Sequence, residues 1–221
     1  PKPGEISLAT GGILFLDELP EFSRAALETL RQPLEDREVT VSRVEATVTY
    51  PANFQLVAAM NPCPCGHFPD LARCRCTEGQ ITRYLQKISG PLLDRIDLCV
   101  EASPVTYGDI RGGGENEASG AIRARVEQAR EIQKERFMEE NIRCNGEMAG
   151  RHIRKYCVLG KEEETFMEEI FEKLALSARM HDRILKVART TADLAGASEI
   201  RLSDLCEAVS YVKSREKFWG N

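Results

Sequence analysis

Two tight pairs of cysteines, Cys63-x-Cys65 and Cys74-x-Cys76, stand eight residues apart. Four thiolates on one short loop can converge on a single tetrahedral Zn²⁺. The one-residue spacing within each pair is tighter than the usual two-residue knuckle. A reduced, metal-free loop and a disulfide are therefore alternatives, and His67 is a substitute ligand. The second chemical feature is the apolar run Ile13-Leu14-Phe15-Leu16, which delivers Asp17 and then Glu18 at its carboxyl end. A buried strand would fix both backbones, so that Asp17 can hold a hydrated Mg²⁺ and Glu18 can polarise a water aimed at a γ-phosphate. That is the form of a Walker B motif; two solvated acids closing a strand are the alternative.

The elements that must position these groups follow from periodicity. Ile13–Leu16 is apolar at every position and is expected as a buried, parallel strand, with Phe54–Met60 as a second and Ile96–Val100 as a third. Glu5–Leu8 is expected to be extended. Ser23 is placed to cap a helix over Arg24–Arg31 that Pro33 interrupts. Val39, Val41, Val48 and Tyr50 alternate with polar residues around Arg43–Ala46, a hairpin signal. Thr77-Glu78-Gly79-Gln80 has capping-box spacing and opens a helix to about Ile88. Beyond a connector over Gly108–Gly120 with five glycines, helices are expected at Ala121–Glu140, Met148–Cys157, Lys161–Leu174, Ala178–Ala195 and Ser203–Glu216. Strands alternating with helices imply an α/β layered sheet, and the rest implies a small helical bundle. The lone His152 and His181 fall on helices and read as packed or solvated side chains rather than ligands.

Composition narrows the classes. The chain has 221 residues, 42% hydrophobic and 29% charged, enough apolar content for a real core. Up to Glu117 there are eleven basic against seventeen acidic residues, and beyond it nineteen against eighteen. Neither half is a polycation, which argues against simple electrostatic coating of nucleic acid but leaves room for a local basic groove. No apolar run approaches the roughly 20 residues of a membrane span. The other cysteines, Cys99, Cys144, Cys157 and Cys206, are scattered singly, so the thiols read as those of a cytoplasmic protein. No Gly-x4-Gly-Lys-[Ser/Thr] occurs; Gly160-Lys161 lacks both the upstream glycine and the following hydroxyl. With the phosphate cradle missing and Pro1 opening inside a motif, the chain is expected to be the carboxyl-terminal part of a longer protein and not to hydrolyse ATP alone.

Longer motifs carry a resemblance. Pro3-Gly4-Glu5-Ile6-Ser7-Leu8-Ala9, Gly12–Pro20, Ala58-Ala59-Met60-Asn61-Pro62, Ser89-Gly90-Pro91-Leu92-Leu93-Asp94-Arg95 and Leu185-Lys186-Val187-Ala188-Arg189-Thr190 resemble the Mg-chelatase-related family of AAA+ ATPases, whose branches include ComM-like competence proteins and ChlI-like chelatase subunits. The resemblance implies an α/β fold: an AAA+ P-loop NTPase core, incomplete because its Walker A is missing, over residues 1–107, a linker over 108–120, and an all-helical lid over 121–221. It implies ATP with Mg²⁺ as cofactor, with Asp17 and Glu18 as Walker B, Asn61 as sensor 1, Arg95 as an arginine finger acting on a neighbouring subunit, and Arg179 as sensor 2.

Each of these residues has a plainer role open to it. Asn61 suits a turn before Pro62, Arg95 suits an ion pair with Asp94 or Asp97, and Arg179 suits a solvated helix face, with Arg183 as the alternate sensor. The hairpin Val39–Tyr50 resembles an insertion that projects toward a central pore. There Arg37, Arg43 and Tyr50 are candidates for nucleic-acid contact, or Tyr50 and Val48 pack the hairpin on the sheet. The parent protein implied is a ring, a hexamer, that couples ATP hydrolysis to remodelling of DNA in recombination. A motor for Mg²⁺ insertion into a porphyrin is the alternative, and a non-catalytic binding module is a third reading of the segment by itself.

Overall fold

The computed structural model describes residues 2–43, 46–103, 105, 107–111 and 117–219, with Arg43, Ala46, Asp109 and Ile110 described by their backbone alone. The chain divides into two compact units, one of residues 1–96 with 216–221 and one of residues 97–215. It is a mixed α/β protein whose carboxyl-terminal part is helical.

The first unit opens with a single helical turn, α1 (Glu5–Leu8), where an extended segment was expected. The Ser7 and Leu8 amides both donate to the Gly4 carbonyl, and Glu5 sits in the first turn, where the helix dipole favours a negative charge. Strand β1 (Ile13–Leu16) follows. The Ser23 hydroxyl accepts from the Ala26 amide and starts α2 (Arg24–Thr29). A second short helix, α3 (Arg31–Asp36), runs on directly, so Pro33 does not interrupt the helical path. It lies in the first turn, where its missing N–H has no intrahelical partner to lose.

Strands β2 (Glu38–Arg43) and β3 (Ala46–Pro51) form the expected hairpin, paired Val39 to Tyr50 and Val41 to Val48. These four side chains are half-buried on one face, whereas Thr40 with Thr49 and Ser42 with Thr47 meet hydroxyl to hydroxyl at 3.0 Å on the other. The Ala52 amide donates to the Arg37 carbonyl at 2.8 Å and closes the hairpin base.

Strand β4 (Gln55–Ala58) pairs with β1 in parallel, Ile13 to Gln55 through Leu16 to Ala58. This two-stranded sheet is less buried than its sequence suggests: Ile13 is 62% and Phe15 58% exposed. Nothing in the described residues covers that face, whereas Leu14 and Leu16 pack against a core of Leu19, Leu27, Leu30, Ile88, Leu92 and Leu93. Helix α4 (Glu78–Leu85) ends one turn earlier than expected and is followed by α5 (Gly90–Leu93). The Trp219 indole N–H reaches the Leu85 carbonyl at 3.1 Å.

No strand forms at Ile96–Val100. A strand needs a neighbouring edge for its backbone groups, none is supplied by the described residues, and Val100 is 73% exposed. Within the expected connector, Tyr107–Arg111 is a short helix, α6, residues 112–116 lie outside the described set, and Ser119 already starts the next helix.

The second unit holds α7 (Ser119–Arg136), α8 (Gly150–Tyr156), α9 (Lys161–Lys173), α10 (Ala178–Leu194) and most of α11 (Leu202–Trp219). Ile184, Leu185, Ala188, Leu205 and Val209 centre its core. Buried within it is a polar network on the fully enclosed Asp193. The Arg136 guanidinium donates to both carboxylate oxygens, Arg189 Nε to one of them at 3.0 Å, and Asn145 Nδ2 to the other at 2.8 Å. Arg189 also donates to the Ala197 and Ser198 carbonyls, tying down the loop after α10. His152 is buried with its Nδ1 accepting from the Ala149 amide, and His181 stacks edge-on to Phe171; among the described residues neither belongs to a group that could hold a metal.

Candidate functional site

Parallel pairing in register sends the chain out of β1 and β4 at the same edge of the sheet. The Ala59 amide donates to the Leu16 carbonyl at 2.9 Å, and the Leu19 amide to the Ala59 carbonyl at 3.0 Å. Asp17 and Glu18 therefore leave one strand beside the point where Asn61 leaves the other. Carboxyl ends of parallel strands are where α/β sheets bind ligands. Asp17 accepts the Glu18 amide at 2.8 Å, and Glu18 adopts the left-handed conformation, φ 50°, that turns the chain into a 3-10 segment at Leu19–Glu21. Asp17, Glu18 and Asn61 are all exposed, and neither acid takes part in an ion pair among the described residues. A carboxylate with solvent-facing lone pairs at this edge is the hard oxygen donor that Mg²⁺ requires.

Immediately after Asn61 the four cysteines converge. Sγ of Cys63 lies 3.4 Å from Cys65 and 3.8 Å from Cys74, and Cys65 lies 3.6 Å from Cys74; with Cys76 all four fall within 4.8 Å of one another. A tetrahedron of sulfurs with metal–sulfur bonds of about 2.3 Å has edges of about 3.8 Å, and a disulfide would bring two sulfurs to about 2.05 Å. All four are free thiols, and Cys63 is fully buried. The loop is built for this. Gly66, at φ +77°, makes a turn in which its amide donates to the Cys63 carbonyl, the Phe68 amide points at Cys63 Sγ, and the Cys74 amide donates to the Asp70 carbonyl.

Electrostatics splits the set. The His67 and then the Arg75 backbone amides lower Cys65 to about 6, whereas burial and the neighbouring Cys65 push Cys76 up to about 12. Cys74 is raised too: the Cys76 amide pulls the other way, but burial and the Cys65 and Cys63 sulfurs outweigh it. A metal bound here would need the raised Cys74 and Cys76 thiols to give up their protons. His67 is not among the converging ligands.

Tyr84, a residue the sequence reading passed over, joins the two features. It is 8% exposed on α4. Its phenol is raised by burial first and then by the charges of Glu21, Cys63 and Glu18, with the nearby Asn61 backbone amide pulling the other way. A tyrosine at position 84 carries no motif, so only the fold reveals it.

The remaining candidates are placed as follows. Arg95 follows α5; it is ion-paired with Glu35 of α3 and donates to the Pro91 carbonyl at 2.7 Å. Its partner is thus neither acid expected from the sequence, and Asp97 instead pairs with Arg183 at 2.8 Å. Arg95 lines an open groove with Glu28, Arg31, Gln32, Glu35 and Asp36. Arg179 is exposed on the first turn of α10, in the second unit. Arg37 caps α3 in the left-handed conformation, φ 59°, and is exposed; Tyr50 lies on the half-buried valine face of the hairpin; the Arg43 side chain lies outside the described residues.

Comparison with known proteins gives the chain's family. Residues 1–110 match the family model described as magnesium chelatase, subunit ChlI, and residues 116–212 match that of the ChlI C-terminal region. The chain belongs to the magnesium chelatase-related family. Over 212 residues, 96% of the chain, it is 48% identical to competence protein ComM of Haemophilus influenzae and 47% identical to the uncharacterized protein YifB of Salmonella typhimurium. It is 39% identical over 210 residues to the uncharacterized protein Rv2897c of Mycobacterium tuberculosis. In each case the match spans 41% of the relative, so the chain covers about two fifths of the length of these proteins. No helix among the described residues is long and apolar enough to cross a membrane.

Proposed function

We propose that this segment is the Walker B half of an AAA+ ATPase core together with its helical lid, and that the protein containing it is a ring-forming, ATP-driven motor acting on DNA. The observation that carries this reading is the shared sheet edge at which Asp17, Glu18 and Asn61 leave adjacent parallel strands. Asp17 would hold the Mg²⁺ of Mg-ATP, whose phosphoanhydride supplies the free energy of the motor. Glu18 orients and polarises the attacking water, and Asn61 fixes that water from the other strand. Arg95 serves a neighbouring subunit as the finger, and Arg179 serves as the lid's sensor. DNA as cargo is supported by the likeness to a competence protein. Arg37 and Arg43 are the hairpin's candidate phosphate contacts, and Tyr50 helps hold the hairpin in shape. The magnesium chelatase name of the family favours one rival, metal insertion into a porphyrin by the same motor.

The four cysteines hold a structural Zn²⁺. Sulfur separations of 3.4–3.8 Å suit it, and all-thiolate sites select soft metals.

The test of the motor is made in a full-length member of the family. Glutamine at the residue aligned with Glu18 is expected to leave nucleotide binding intact and slow hydrolysis about 10²–10⁴-fold. Alanine at the residue aligned with Arg95 is expected to stop hydrolysis, and mixing the two variants to restore part of it. Wild-type turnover in either single variant sinks the assignment. Duplex or forked DNA that fails to stimulate the wild-type ATPase sinks the DNA cargo.

A further inference from the structure

The thiol loop begins beside Asn61 and ends on α4, the helix that carries Tyr84. At its entry, Gly66 folds back so that a Cβ on it would lie 3.7 Å from both Cγ and Oδ1 of Asn61; the glycine backbone thus flanks the carboxamide directly. Two residues after Asn61, Cys63 is fully buried. At its exit, Cys76 is followed at once by Thr77, the N-cap of α4. There the Thr77 amide donates to Gln80 Oε1 at 2.8 Å and the Gln80 amide to Thr77 Oγ1 at 3.3 Å, a complete capping box. Two turns along that helix, the buried Tyr84 hydroxyl lies beside the Asn61 backbone amide, close enough for that amide to favour its charged form. Chain and contacts therefore close a ring, from Asn61 through the four cysteines and α4 back to Asn61.

We infer that the metal-closed cysteine loop and Tyr84 are a positioning device for Asn61, setting its carboxamide beside Asp17 and Glu18. This rests on the zinc reading above. Without an ion, only thiol–thiol contacts and backbone turns close the Cys63–Cys76 loop, and the entry contact at Gly66 is free to loosen from the exit contact at Tyr84. With an ion, the two ends are tied. Tyr84 acts through Asn61 and touches no reacting atom, so it is a positioning residue. Its ring fills the core, and its hydroxyl carries the positional information.

The chain has six asparagines, so ¹⁵N-asparagine labelling gives a spectrum in which Asn61 can be assigned by substitution. Zinc is first measured by elemental analysis on protein purified without chelator or metal-affinity resin. A ratio near zero with all four loop thiols reduced overturns the zinc reading itself. With zinc bound, two perturbations follow. Chelation is expected to shift the backbone and side-chain amides of Asn61 by more than a linewidth, while Asn53, at the far end of β4, stays in place. Tyr84→Phe keeps the ring and is expected to retain one equivalent of zinc and still move the Asn61 backbone amide. Rescue by phenylalanine, with Asn61 unmoved, would mean that Tyr84 only packs. If chelation also displaces Asn53, the first unit has unfolded, and Tyr84→Phe decides alone. An Asn61 resonance that moves in neither experiment, with zinc stoichiometric, overturns the inference and leaves the zinc site standing.

Discussion

Removing the Asp193 carboxylate tests whether the second unit is organised around its buried charges. The side chain is fully enclosed and receives four hydrogen bonds, two from Arg136 and one each from Arg189 and Asn145. The Arg136 and Arg189 side chains are themselves 13% and 3% exposed, so Asp193→Ala leaves two guanidinium groups short of a counter-charge in a low-dielectric interior. Losing one member of a buried pair costs about 3–5 kcal/mol. Some of that is moderated here because Arg189 keeps the Ala197 and Ser198 carbonyls and Arg136 keeps Asn145 Oδ1. Against a domain stability of about 5–15 kcal/mol the loss is large. At roughly 3–6 °C per kcal/mol for a unit of this size, the melting temperature should fall by about 10–25 °C. Urea titration followed by circular dichroism gives the free energy. A cycle with Arg136→Ala separates coupling from packing, since the second substitution should cost much less once Asp193 is gone. A loss under about 1 kcal/mol, or additive single effects, would refute the view that this network is the unit's organising contact.

Three further outcomes are expected. Lys155 first, and then the Tyr156 hydroxyl, hold Glu140 down at about 2 from an ordinary 4.5. Its contribution is therefore complete above 4.5 and lost as pH falls toward 2; acid titration of the helical unit should lose that limb in Glu140→Gln, and an unchanged profile would count against the pairing. Thr77→Ala removes one bond of the capping box and should destabilise the first unit by about 1 kcal/mol in urea melts, with Thr77→Ser nearly neutral. Zinc should be found near one equivalent per chain and drop sharply in Cys63→Ser, whose sulfur is the most enclosed of the four, as read by elemental analysis.

Features with local causes were legible in the sequence. The capping box at Thr77, the hairpin alternation of Val39, Val41, Val48 and Tyr50, and the Ser23 cap depend on a few neighbouring residues, and they appear where the pattern places them. Expectations that depended on distant neighbours fared less well. Among the described residues, Ile96–Val100 has the composition of a strand but no edge to pair with, and the all-apolar Ile13–Leu16 is covered on one face only. At the candidate site, the cysteine pairs and Asp17-Glu18 announced themselves, whereas Tyr84, Gly66 and the Glu35 partner of Arg95 acquire meaning only when the chain is folded. One signal was readable and missed. Arg189 and Asp193 sit four residues apart on the same stripe as Ile184, Leu185, Ala188 and Ala192, and an i, i+4 charge pair inside an apolar stripe marks a buried network.

The two faces of the β2–β3 hairpin constrain how its length can change. Because side chains alternate with a period of two, one added residue in a strand would carry every later hydroxyl to the valine side and every later valine outward. Paired insertions of two residues per strand keep both ladders in phase. Each such step extends the finger by about 6.7 Å. Relatives with longer or shorter hairpins should therefore differ by even numbers of residues per strand, so that the reach of the finger varies in steps while its faces stay as they are.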